Sequence, residues 1–156
     1  MFETSSTGFE RLYRLNDVVV SVIATETNLP APRRILLASS DAADIELFRD
    51  YLADLDCEFL TATSGADALQ CVRQFAPQLI VLDTMLKGID GINVCRQVKS
   101  NPSTRRTMIL MLVGFSGSGE IVRAMDAEPD DFLCKPVNKI ELLRRVENLL
   151  RLHALL

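Results

Sequence analysis

From about position 34 onward the apolar residues of this chain follow two alternating rhythms. Short apolar runs at 35–38, 57–62, 79–82, 108–113 and 132–134 have the length and branched-residue content of strands. Between them apolar residues recur at helical spacing: Ile45, Phe48 and Leu52; then Leu69, Val72 and Phe75; then Val94, Cys95 and Val98. A shorter helical segment runs through Met125, and a last one carries Ile140, Leu143, Val146 and Leu150 as its expected core stripe. "LIVL" at 79–82 is apolar without alternation, as a strand covered on both faces should be. Strand and helix in strict turn predict the α/β class: a doubly wound, five-stranded parallel sheet with helices on both faces.

Punctuation supports these elements. Asp41 and Asn138 are good N-caps, the latter with Glu141 at capping-box spacing, while Pro77 and Asn101-Pro102 end the segments before them. The last helix carries a second apolar set, Leu142, Leu149, Leu152 and Leu156. These are expected either to face a partner or second copy, or to pack on the N-terminal segment. Residues 1–32 break the rhythm and form an extension ahead of a domain at 33–156. "FERLYRL" fits a short helix and "VVVSVI" a strand able to pair with a sheet edge or a partner chain; "NLPAPRR" is a proline-bearing linker.

Composition narrows the function. The chain has 156 residues, 48% of them hydrophobic and 24% charged, with net charge −4 and pI near 5.0. An acidic chain with scattered arginine pairs is a poor match for nucleic acid, which requires clustered cations. No apolar run reaches the roughly 20 residues that cross a bilayer, and the N-terminus lacks a basic-then-apolar leader. The expectation is a cytoplasmic protein with neither a nucleic-acid nor a membrane partner. Cys57, Cys71, Cys95 and Cys134 form no C-x-x-C pair and have no histidine at co-ligand spacing, so they read as small hydrophobes rather than a zinc or disulfide framework. His153, the only histidine, reads as a solvated helix residue.

Candidate chemistry gathers at strand ends. Asp83 follows "LIVL" directly and opens the loop "DTMLKGIDG"; Lys135 ends the last strand in "DDFLCKP"; the first strand ends abruptly in Ser39-Ser40-Asp41. In a doubly wound sheet these carboxyl ends share one edge. The glycine-rich "GFSGSGE" superficially resembles a phosphate loop, but it lacks the G-K-[ST] ending and follows the fourth strand. It reads as a β-to-α connection.

In this order and spacing the motifs resemble the receiver domain of two-component response regulators, over roughly residues 34–152. The resemblance implies a flavodoxin-like (βα)5 fold. It makes Asp83 the phosphoacceptor equivalent, Lys135 the family's lysine and Phe132 the aromatic switch position. Three departures follow. The two acids that usually end the first strand and help bind Mg²⁺ are Ser39 and Ser40, which leaves a degenerate metal site of Ser39, Ser40, Asp83 and Met85, with Asp41 as a reserve ligand. Mg²⁺ prefers charged oxygen ligands, and phosphoryl transfer relies on such a cation. The Thr or Ser that ends the fourth strand is Val113, which has threonine's shape without its hydroxyl. Lys87 stands where the loop usually has proline; it reads as an exposed loop lysine, or more pointedly as an ammonium near the metal position.

These losses imply a pseudo-receiver: no enzyme and no cofactor, or Mg²⁺ held only weakly, with Asp83 and Lys135 pairing with each other. Its output would be phosphorylation-independent binding to a protein partner, such as a histidine kinase or another signalling protein. The surface implied by resemblance is the fourth helix, fifth strand and fifth helix, with a homodimer through the last helix or N-terminal segment as a further option. The competing reading is a working phosphoacceptor that a histidine kinase phosphorylates at Asp83 with weakened Mg²⁺ dependence. A small-ligand binder is disfavoured, because no glycine fingerprint follows the first strand.

Overall fold

The computed structural model describes residues 9–15, 18–24, 32–114 and 118–156, with side chains over 32–114 and 119–156. The chain divides into two compact units, Met1–Pro32 and Arg33–Leu156. In the first, β1 (Phe9–Leu15) and β2 (Val18–Ala24) pair antiparallel from Phe9↔Ala24 to Leu15↔Val18, in a two-stranded sheet of their own. This corrects the helix expected for "FERLYRL". Its apolar residues Phe9, Leu12 and Tyr13 fit helical spacing, but Phe9, Tyr13 and Leu15 equally fit alternation, and the β-branched run at 18–20 supplies the pairing partner.

In the second unit, β3 (Arg33–Ala38), β4 (Cys57–Ala62), β5 (Leu79–Asp83), β6 (Met108–Val113) and β7 (Asp131–Cys134) form one sheet in the order β4-β3-β5-β6-β7. All its pairings are parallel. Five helices complete it: α1 (Ala42–Tyr51), α2 (Gly65–Phe75), α3 (Gly91–Ser100), α4 (Ser118–Asp126) and α5 (Lys139–Ala154). This is the doubly wound, flavodoxin-like order that the sequence predicts.

Strand alternation builds a core on each face. Leu36, Ala38, Ile80, Leu82, Ile109, Met111 and Val113 pack with α2, α3 and α4, whereas Ile35, Leu37, Leu79, Val81, Leu110 and Leu112 pack with α1 and α5.

The last helix keeps Val146, Leu150 and, in part, Leu143 of the expected stripe in the core, but not Ile140. Leu142, Val146, Leu149 and Leu150 are buried, Leu143 is partly buried, and Ile140 is 70% exposed. Two of the four residues assigned to a partner stripe, Leu142 and Leu149, are therefore core, while Leu152 and Leu156 remain exposed. Ile140 and Leu142 lie about 200° apart around a helix, so only one can face the sheet. Phe75, expected on α2's inner face, is 38% exposed.

Candidate functional site

The carboxyl ends of β3, β5, β6 and β7 bring the candidate residues to one edge. Asp83 closes β5, where pairing to β6 runs through Asp83↔Leu112 and the Thr84 amide donates to the Leu112 carbonyl at 3.1 Å. Lys135 is aimed from the end of β7 by its own amide, which donates to the Val113 carbonyl at 2.9 Å. Gly91, which opens α3, lets that helix press on the strand end. A Cβ there would fall on the Asp83 carbonyl and lie 2.8 Å from Thr84 Cα.

Asp83 is 2% exposed, and a carboxylate so enclosed is stable only with partners. Both its oxygens have one. Lys135 Nζ donates to Oδ2 as an ion pair, and the Met85 amide donates to Oδ1 at 2.9 Å. The two serines that replace acids are also engaged within the chain. Buried Ser39 accepts from the Asp41 amide at 3.2 Å, and exposed Ser40 donates to the Met85 carbonyl at 2.9 Å, linking the β3–α1 loop to the β5–α3 loop. Asp41 caps α1, accepting from the Ala43 amide at 2.9 Å.

Mg²⁺ takes near-octahedral oxygen coordination built around one or two carboxylates. Here the Asp83 carboxylate is paired with an ammonium, the serines bring no charge, and Asp44 and Asp41 are the other carboxylates nearby. Among the described residues no group of three or more His, Cys, Asp or Glu side chains is arranged to hold a metal ion. With serines there, the end of β3 adds no carboxylate to Asp83 for a cation such as Mg²⁺.

Two residues of this edge escaped the sequence reading. Asp44, in the first turn of α1, is half-buried; burial pushes its carboxyl up, nearby Lys135 pulls it down, and Asp41 and Asp83 push it up further. Its only sequence signal is its place in the first turn after the first strand. Thr84, 4% exposed, donates its hydroxyl to Glu120 Oε1 on α4 at 2.6 Å. No sequence pattern links positions 36 apart. Val113 is fully buried, and Phe132 packs partly buried against the same core, so the two positions expected to form the switch share one cluster. Lys87 is exposed, and its carbonyl accepts from the Gly65 amide at 3.1 Å, which ties this loop to the start of α2.

The sequence model of the response regulator receiver domain matches residues 35–147. Response regulator PleD of Caulobacter vibrioides is 33% identical over 118 residues, covering 76% of this chain and 26% of PleD. The phosphate regulon regulatory protein PhoB of Rhizobium meliloti is likewise 33% identical over 118 residues, which are 52% of its length. The chain thus spans from about a quarter to about half of these curated relatives. Among solved structures, a response regulator from Chloroflexus aurantiacus superposes with a TM-score of 0.73 at 31% identity, covering 78% of this chain and 99% of that one. The receiver domain of a signal transduction histidine kinase from Syntrophus aciditrophicus gives 0.73 at 25%, covering 76% and 90%.

Proposed function

This chain belongs to the response regulator receiver domain family, and from that premise we propose that it is a pseudo-receiver, a signalling module that binds a protein partner without being phosphorylated. The observation that supports this most is the pair of neutral hydroxyls at the end of β3, each engaged within the chain, Ser39 by the Asp41 amide and Ser40 by the Met85 carbonyl. Each Asp83 oxygen accepts one bond from within the chain, from Lys135 or from the Met85 amide. Two neutral serines stand where the family places acids. A phosphoryl group arriving here would meet a carboxylate with no divalent cation to offset the repulsion between the two anions. Val113 offers it no hydroxyl.

The partner is then recognised by surface chemistry that does not depend on an Asp83 phosphate. A histidine kinase or another two-component protein fits that role on family grounds. The intact Asp83–Lys135 pair favours a second reading, a phosphoacceptor with weakened metal dependence.

Restoring the acids separates the two readings. Ser39→Asp with Ser40→Asp is expected to create Mg²⁺ binding, read by calorimetry, in a chain whose wild type binds none. Saturable Mg²⁺ binding by the wild type would favour the phosphoacceptor, and a double variant that binds none would overturn the assignment of Ser39 and Ser40 to the acid positions.

A further inference from the structure

Asp83 pairs with Leu112, so the next residue, Thr84, stands level with Val113. The alternation of β5 and β6 decides which way Thr84 faces. Leu82, Met111 and Val113 lie on the side of α2, α3 and α4, while Leu112 lies on the α1–α5 side. Thr84 therefore stands beside Val113 on the α4 side, and its Oγ1 reaches Glu120 in the first turn of α4 at 2.6 Å. A hydroxyl-to-carboxylate bond of that length is charge-assisted and among the stronger side-chain bonds. Because Thr84 is buried, leaving its hydroxyl unpaired would be costly.

The same residue is bound into the acid edge through its backbone. Asp83 Oδ1 holds the Met85 amide, so the Thr84–Met85 stretch is clamped to the carboxylate, and the Gly91 amide donates to the Thr84 carbonyl at 3.0 Å. A displacement of the Asp83 carboxylate acts on the Thr84–Met85 backbone through this bond.

We infer that Thr84 is the positioning residue that couples the Asp83 edge to α4. Its hydroxyl lies one strand over from Val113, and through Glu120 it sets where the first turn of α4 lies. Val122 and Met125 of α4 are exposed, at 57% and 56%, so the coupling acts on an apolar surface available for binding. It stands whether or not Asp83 ever carries a phosphoryl group.

The test is a double-mutant cycle in the full chain, read by amide NMR. Asp83→Asn alone is expected to shift the amides of residues 121–126 as well as those of Met85 and Lys135. In a Thr84→Val background the response at 121–126 falls by about half or more, while that at Met85 and Lys135 persists; Thr84→Ser, which keeps the hydroxyl, restores it. A full α4 response without the hydroxyl, or no α4 response to Asp83→Asn in the wild type, overturns the inference. If Thr84→Val does not fold, the cycle runs from the other end. Glu120→Gln keeps an acceptor oxygen and is expected to keep the coupling, and Glu120→Ala to lose it; equal responses in those two backgrounds overturn it as well.

Discussion

At the scale of single residues the acid edge is a problem of charge. Lys135 meets the enclosed carboxylate of Asp83, and half-buried Asp44 adds a second anion nearby at a cost: burial and the neighbouring Asp41 and Asp83 raise its pKa despite Lys135. A carboxyl with a raised folded-state pKa binds its proton more tightly folded than unfolded, so its ionisation weakens the fold. That penalty is absent below the unfolded value of 3.8 and complete once pH has risen past the raised folded value. Asp44→Asn is therefore expected to unfold at a higher urea concentration than wild type at pH 7, with the advantage shrinking as pH falls toward 3.8. An advantage that grew with acidity would contradict this charge balance. Asp83, Lys135, Ser39 and Ser40 are legible in the sequence because each sits at a fixed step from a strand end. Asp44 and Thr84 are not, because their significance lies in partners from other elements.

At the scale of elements, apolar runs locate the strands and spacing gives the buried residues of α1 and α3, whereas in α5 spacing misplaces Ile140 and misses Leu142 and Leu149. The strands β3, β5 and β6 carry continuous apolar runs, and in a sheet covered on both faces every position of such a run is used. The last helix offers more leucines than one stripe can bury, and spacing alone leaves two phases open. Packing against β5 and β6 selects Leu142, Val146, Leu149 and Leu150. Truncating fully buried Leu142 to alanine should cost about 2–5 kcal/mol by urea denaturation. The same change at exposed Ile140 should stay within about 0.5 kcal/mol. The reverse order would restore the phase read from spacing. "FERLYRL" failed for a related reason: seven residues with apolar positions compatible with both periods take the conformation their neighbour imposes, here a strand beside β2.

At the scale of the whole molecule, the two hydrophobic cores among the described residues lie within 33–156, and so do the acid-edge residues. A chain beginning at Arg33 is expected to unfold in one cooperative transition and to keep the amide spectrum of residues 33–156. Loss of cooperativity on removing 1–32 would make the extension part of the fold. The account itself turns on whether the edge that closes over Asp83 still admits the ligands of a phosphorylation cycle. The most direct measurement is an amide NMR titration of the full chain with Mg²⁺, then with beryllofluoride, which mimics the phosphoryl group. A pseudo-receiver predicts no saturable shift at Asp83, Met85, Thr84 or Lys135 with either. Shifts that cluster at those residues and saturate at millimolar Mg²⁺ or below would contradict it and establish a working phosphoacceptor.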